Sequence, residues 1–463
     1  MVSHDLDRSL GLYPTMMISM GAMIGSGIFV LPALGFKKAG PAVILAYVLS
    51  ALVVLPAALS KAEMATAMPQ AGGTYLYIDR ALGPLFGTIA GIGSWFSLTF
   101  KSAFALAGLG AYLLVPEIIP IGEGLLTPVS LALAGAVIVL NISGTELSGR
   151  VQAVIVTLVL AGLVAYTLNA GVEVNPDSYT PFVTDGSGGV ITAAAFVFVS
   201  FAGVTKIASI AEEVENPGKN LPRAILGSMA IMTLVYIAVV AAIVGLADAE
   251  TLKKGGPGGD SASLTPMADG ADALFGGAGV LIISVIAVVA LTSMANAGVL
   301  STSRFPLAMS RDNLLPPQLD TIDERFGTPR NSVLLTGAVL LFLIAFVPVV
   351  ELAKLASAFK ILVFSIANVA LIAFREADVP EYDPEWTTPG YPYVQLFGVV
   401  AGLGLLTQMG GLPILGAIGI IIGSVIIYVT YGRSRTDRTG AIGTIIHNRR
   451  GQSDDGLAPT DTD

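Results

Sequence analysis

Apolar residues run along this chain in twelve long blocks separated by short polar stretches: about 13–34, 41–61, 84–115, 126–143, 150–170, 190–211, 223–247, 273–302, 332–350, 353–374, 393–410 and 412–431. Crossing a hydrocarbon layer takes roughly 20 apolar residues per helix, so each block predicts a transmembrane helix. The first block is too long for the apolar core of a signal peptide and lacks a small-residue cleavage site. It is therefore expected to be the first span of the mature protein.

Two blocks are interrupted by glycine at mid-span. One reads Met16-Met17-Ile18-Ser19-Met20-Gly21-Ala22-Met23-Ile24-Gly25-Ser26-Gly27-Ile28-Phe29 and the other Phe196-Val197-Phe198-Val199-Ser200-Phe201-Ala202-Gly203-Val204-Thr205. Backbone unwound inside a membrane leaves N–H and C=O groups without partners, which is tolerated only where it lines a cavity or is buried in protein. Paired interruptions in two halves of a membrane chain point to a transporter's substrate site. They fall in spans 1 and 6, so spans 1–5 and 6–10 read as two five-helix repeats. An odd helix count inverts the second repeat in the bilayer, and spans 11 and 12 are additions.

Charge sets the orientation. With the N-terminus inside, the cytoplasmic side carries Arg8, Lys61, Arg80, Arg150, Lys219, Arg223, Arg304, Arg311, Arg325, Arg330, Arg375, Arg433, Arg435, Arg438, Arg449 and Arg450. The outside carries Lys37, Lys38, Lys253, Lys254 and Lys354. This bias predicts both termini in the cytoplasm of a plasma-membrane protein. The expected layout is a cytoplasmic segment 1–12, one membrane domain 13–432 (repeats about 13–170 and 190–374, extra helices 393–431) and a disordered acidic tail 433–463.

Composition narrows the chemistry. The chain is 54% hydrophobic and 12% charged, about half the charge of a soluble domain. Cysteine is absent and the two histidines, His4 and His447, lie near the ends, which argues against thiolate chemistry, a histidine relay and a His-ligated metal. A net charge of −9 argues against nucleic-acid binding. No nucleotide-binding Gly-x-x-x-x-Gly-Lys-Ser/Thr motif is present.

The start of a half-helix at Gly25-Ser26-Gly27 offers N–H groups and partial positive charge to a carboxylate. Carbonyls around Ser200–Thr205 suit an ammonium group, so a zwitterion fits between them. The alternative is that these glycines only let helices pack closely. Phe201 beside the second interruption is a candidate aromatic lid, unless it simply packs. Lys101 sits in mid-span, where a charge is costly and by default functional. It meets a substrate carboxylate or takes part in ion coupling, unless it is tied to a backbone carbonyl. Lys206 and Lys360 are the other cations within spans. Thr292-Ser293 offers hydroxyl oxygens to a hard cation, although such groups often bond back to their own helix.

Together, Ile24-Gly25-Ser26-Gly27-Ile28-Phe29, Ala39-Gly40-Pro41, the Glu212–Arg223 loop, Ser303–Pro316 and Thr328-Pro329-Arg330 resemble the amino acid–polyamine–organocation superfamily of permeases. The Glu212–Arg223 loop looks most like the cationic amino acid transporter branch and related prokaryotic permeases. The resemblance covers residues 10–430. It implies an all-α membrane protein with a LeuT-type 5+5 inverted repeat, broken helices 1 and 6, and amino acids as substrate. By family pattern Ile24, Gly25, Ser26 and Gly27 hold the substrate carboxylate, and Phe201, Ala202 and Gly203 hold the amino group, with Phe201 as lid. Lys101 falls where related members contact the substrate side chain.

Two departures matter. The span-5 lysine that replaces sodium in some proton-coupled members aligns with Val159, while Ala290-Leu291-Thr292-Ser293 resembles the span-8 cation ligands of sodium-coupled relatives. Gly21, Ile24, Val289, Thr292 and Ser293 thus form the expected Na⁺ set. Thr205 stands where some arginine exchangers carry an acid, and with Lys101 in the cavity this counts against a cationic substrate; neutral amino acids are the expected substrates, with acidic ones as the alternative. The expected function is ion-coupled symport by alternating access, with no cofactor besides Na⁺. Ion-independent exchange is the alternative, and a non-transporting membrane sensor is the rival of another class.

Overall fold

The computed structural model describes residues 8, 10–69, 73–119, 123–144, 149–255, 261–323, 325–377, 382–436 and 438–443. Among these the secondary structure is helical, apart from one isolated parallel bridge between Leu10 and Val214. His4, His447 and the acidic stretch 452–463 lie outside the described residues.

In chain order the α-helices are α1 Leu12–Met23, α2 Ser26–Phe29, α3 Leu31–Ala39, α4 Val43–Ala67, α5 Gly73–Leu82, α6 Pro84–Leu113, α7 Leu126–Ile142, α8 Gly149–Glu173 and α9 Gly186–Val197. They continue as α10 Pro217–Leu246, α11 Ala249–Lys254, α12 Pro266–Phe275, α13 Gly277–Arg311, α14 Arg330–Phe346, α15 Val349–Ala377, α16 Tyr393–Thr407 and α17 Gly411–Ile427. Among the described residues, eight helical stretches are long and apolar enough to cross a membrane: Leu31–Ala67, Pro84–Leu113, Val151–Glu173, Gly186–Glu213, Pro217–Leu246, Gly277–Arg311, Val349–Ala377 and Gly411–Gly432. α7, α14 and α16 are apolar but shorter. The first expected span is in two pieces, α1 and α2.

Burial separates an inner bundle from a rim. α6 packs along α13 and α15, and α4 packs along α10 and α9. In α15 83% of the apolar window is buried, against 22% in α8 and in α17. The rim exposes large apolar side chains: Leu158, Leu168, Val172, Phe346, Val400 and Leu415 are each at least 66% exposed. Apolar surface on this scale requires a non-aqueous neighbour, so the chain is a multi-pass membrane protein.

Two sequence expectations change. Lys61, counted as an inner loop charge, lies within α4 and is 0% exposed, because the helix continues to Ala67. Residues from 433 onward do not all form a free tail. Arg438 reaches back to Asp79 at 3.6 Å and Asp312 at 3.0 Å, and Gly440 packs against the Leu82–Gly83 backbone. Paired charges and close backbone contact seat this segment.

Candidate substrate site

The first interruption is a true break. α1 ends at Met23, Ile24 is extended (φ −66°, ψ 129°), and Gly25 has φ 148°, ψ −132°. A side chain at Gly25 is disfavoured by that φ, and a Cβ there would also lie 1.9 Å from Met294 Sδ on α13. The chain rewinds at once: Ile28 N and Phe29 N both donate to Gly25 O at 3.0 Å.

The carbonyls around the break are held by side chains from three helices. Lys101 Nζ on α6 donates to Ala22 O at 3.1 Å, and Tyr236 Oη on α10 donates to Met23 O at 2.8 Å. Tyr47 Oη on α4 donates to Gly27 O at 2.7 Å, and Tyr112 Oη on α6 donates to Phe29 O at 2.8 Å. These bonds meet the requirement that peptide groups freed in an apolar interior find partners. Lys101 thus takes the carbonyl-tied role. Ser26 Oγ, fully buried beside the break, has no hydrogen-bond partner among the described residues.

The second interruption takes another form. α9 ends at Val197 and the chain continues as a 3₁₀ segment, Phe198–Glu213, with Ile210 alone leaving helical geometry (φ −117°, ψ 16°). Such runs rarely exceed three or four residues, and mid-helix they often mark a hinge. The rod is therefore overwound where an open gap was expected, and Gly203 serves close packing. A Cβ at Gly203 would sit 2.3 Å from Ala22 C, and one at Gly27 would sit 2.8 Å from Ser200 Cβ. Those two glycines seat the 3₁₀ segment directly on the broken helix. Phe201 is 0% exposed with its ring 5.1 Å from that of Tyr236, edge to face. Thr205 Oγ1 donates back to Ala202 O at 3.1 Å. Ile24, Gly25, Ser26, Gly27, Phe201, Ala202 and Gly203 thus gather at one junction, with Lys101 above the end of α1.

The expected sodium set is only partly assembled. Gly21, Ile24 and Ser293 line a cavity of about 10 Å³ together with Gln152, Ile155, Val156, Val159 and Ala290. That is about the ~10–15 Å³ that one water needs. Thr292 is on the exposed face of α13 and Val289 is 44% exposed. Successive helical residues point about 100° apart, so turning Ser293 inward carries Thr292 away. The oxygen that does arrive is unforeseen: Ser293 Oγ donates to Gln152 Oε1 at 2.8 Å. Among the described residues no cluster of three His, Cys, Asp or Glu forms.

A bundle of apolar helices with one rod broken and its partner overwound at the same depth defines a polytopic membrane carrier. The chain belongs to the amino acid permease family, whose pattern it matches over residues 10–444, within the amino acid–polyamine–organocation superfamily. It is 31% identical to the branched-chain amino acid permease BcaP of Bacillus subtilis over 451 residues, covering 93% of this chain and 94% of that protein. It is 29% identical to the methylthioribose transporter of the same organism, over 94% of this chain and 95% of that one. Cationic amino acid transporter 1 of Arabidopsis thaliana is 26% identical over 80% of this chain and 63% of its own length. The protein is a transporter and not an enzyme.

Proposed function

We propose that the protein is a secondary active amino acid transporter working by alternating access, with twelve crossings, a LeuT-type 5+5 inverted repeat, two added helices and both termini cytoplasmic at the plasma membrane. The observation that carries this reading is the Ile24–Gly25 break facing the 3₁₀ segment deep in the bundle. Backbone N–H groups after the break and the unpaired Ser26 Oγ receive the substrate carboxylate. Backbone oxygens of Phe201–Gly203 receive the ammonium group, and Phe201 closes over it.

The substrates we assign are neutral, branched apolar amino acids. Similarity to the branched-chain permease supports this, and so does Thr205 where an acid would select a cation. Lys101 is engaged by Ala22 O and is not free to pair with an acidic side chain. A ligand moves the conformational balance only through its different affinity for the two states, and contacts made at the break are the ones that change as the inner bundle turns.

Uptake into proteoliposomes tests the reading with labelled leucine, arginine and glutamate. Leucine accumulation is expected, and binding of leucine without accumulation would favour a sensor. Sodium coupling is the second reading, favoured by the small cavity at Gly21, Ile24 and Ser293. Because Thr292 and Val289 face away, the oxygens gathered there are fewer than a hard cation collects. Replacing Na⁺ with choline at constant pH decides it: an unchanged rate excludes sodium.

A further inference from the structure

A groove of about 390 Å³ lies between α6, α15 and α17, away from the broken helix. Sites for small organic ligands fall in the range of about 300–1,000 Å³. Its α17 wall runs from Leu412 to Ile427, about 22 Å of helix. That exceeds the roughly 15 Å of hydrocarbon that belongs to one leaflet. Three rings form its floor: Phe100 lies 5.4 Å from Phe359, and Phe96 lies 6.3 Å from Phe100 and 6.2 Å from Phe359.

Glycine on α17 opens this groove without using it to pack. At Gly416 a Cβ would lie 2.8 Å from Leu355 Cδ2, so α17 touches α15 there. At Gly419 and Gly423, which both line the groove, a Cβ would meet no atom within 4 Å outside its own stretch of helix. Ser424 lines the same stretch. It is 1% exposed on a helix whose apolar window is only 22% buried, and its Oγ has no hydrogen-bond partner among the described residues. Serine in an apolar helix commonly bonds back to its own turn. A buried hydroxyl without any partner costs free energy, and an occupant of the groove that carries an acceptor removes that cost. Water is a poor occupant, because a trapped water needs several polar partners and the walls are phenyl and aliphatic.

The surroundings narrow the occupant further. The outer face of α17 presents Leu415, Ile418, Ile422 and Ile426, each at least 45% exposed, so the groove borders lipid. Beyond Ile427 the helix continues as one π turn, Tyr428–Gly432, and Arg433 and Arg435 follow, both exposed. Arg435 Cζ rests 3.9 Å from the centre of the Tyr431 ring. Among the described residues no carboxylate pairs with either arginine. Two unneutralised cations thus stand past the end of the groove that holds Ser424, and basic residues just beyond a span attract anionic lipid head groups.

We propose that this groove binds an anionic phospholipid of the adjoining leaflet. One acyl chain lies along Gly419 and Gly423 over the three rings. Ser424 Oγ donates to the ester carbonyl, and Arg433 and Arg435 hold the phosphate-bearing head group. The site is set by α17 and does not depend on which solute is carried. Its occupant braces the helices behind the broken rod. Phe100 precedes Lys101, which holds Ala22 O, and Ser97 Oγ donates to Ala356 O at 2.8 Å, joining α6 to α15.

The test uses full-length protein in uncharged detergent. Trp95 and Trp386 are the two tryptophans, so Trp386→Phe leaves Trp95, whose ring lies 4.8 Å from that of Phe96, as the sole reporter. Phosphatidylglycerol with brominated acyl chains is expected to quench Trp95 saturably. It should bind at least about tenfold more tightly than phosphatidylcholine with the same chains. Gly423→Leu puts a side chain where the acyl chain lies and should weaken binding by about tenfold or more. Ser424→Ala should weaken it by about threefold. Arg433→Gln together with Arg435→Gln should bring phosphatidylglycerol down to the level of phosphatidylcholine. Those two side chains are exposed, so this double variant remains decisive if Gly423→Leu does not fold. Equal affinity for the two lipids in the unaltered arginine background, a preference that survives loss of both arginines, or unchanged binding in folded Gly423→Leu overturns the proposal. So does a dimer that Gly423→Leu dissociates, which would give the groove to a second copy of the chain.

Discussion

Single residues carry the break. At Gly25 both the backbone angle and the Met294 sulfur exclude a side chain. Gly25→Ala is expected to lower leucine uptake by about a hundredfold or more through strain of about 1–3 kcal/mol and displacement of Met294. Surface expression, read beside uptake, separates loss of transport from loss of protein. On α12, burial raises the Asp269 carboxyl to about 6, with hydrogen bonds from Ser263 and Thr265 opposing the shift and Asp272 adding to it. A carboxyl raised on folding gives stability that is present below its unfolded value and lost as pH rises through about 6. The contribution is at most about 3 kcal/mol. Protection in α12, taken relative to the intrinsic exchange rate at each pH, should therefore be greater at pH 4.5 than at pH 7, and Asp269→Asn should erase that difference in protection.

At the scale of elements, α1 is completed by residues remote in sequence. Tyr236 is the strongest case, because one hydroxyl serves Met23 O at 2.8 Å and Ser200 O at 3.2 Å, joining the broken helix to the 3₁₀ segment. Tyr236→Phe leaves both carbonyls short of a donor and should cost about 1–3 kcal/mol, seen as a lower unfolding temperature in detergent. Leucine affinity should fall with it. The sequence made the first break legible, since Gly25 and Gly27 flank a serine inside an apolar run. It also pointed to Phe201–Gly203 as the facing segment. It did not reveal the tyrosines on α4, α6 and α10, because a tyrosine in an apolar block carries no mark of which distant carbonyl it meets. Gln152 escaped for the same reason, and Met294 reads as ordinary core. Lys61 was misplaced because it stands near a block's polar end, where helix continuation cannot be told from a loop. The close approach of Gly203 to the Ala22 and Met23 backbone, which leaves no room for a side chain, is a tertiary contact that no local pattern marks.

At the scale of the molecule, Arg438 ties the last described segment to the bundle. Its guanidinium meets Asp79, whose side chain is 0% exposed, and Asp312, which also accepts from Tyr75 Oη at 2.7 Å. Burial raises the Asp79 carboxyl above its usual value and Arg438 pulls it back. Arg438→Gln removes the opposing charge, so the carboxyl rises further and its ionised form becomes the destabilising one. The variant should be less stable than the parent by about 1–3 kcal/mol at pH 8, and the deficit should shrink toward pH 5. Thermal unfolding at the two pH values measures both.

The 3₁₀ segment also holds spare length. A residue wound three to the turn advances about 2.0 Å, against about 1.5 Å in an α-helix. The twelve residues 198–209 that precede the kink at Ile210 therefore extend about 6 Å further than they would in an α-helix. Each peptide that slips from the tighter coil to the looser one retracts the rod by about half an ångström. Such a change shortens the strut one peptide at a time, each N–H exchanging the carbonyl three residues back for the one four residues back.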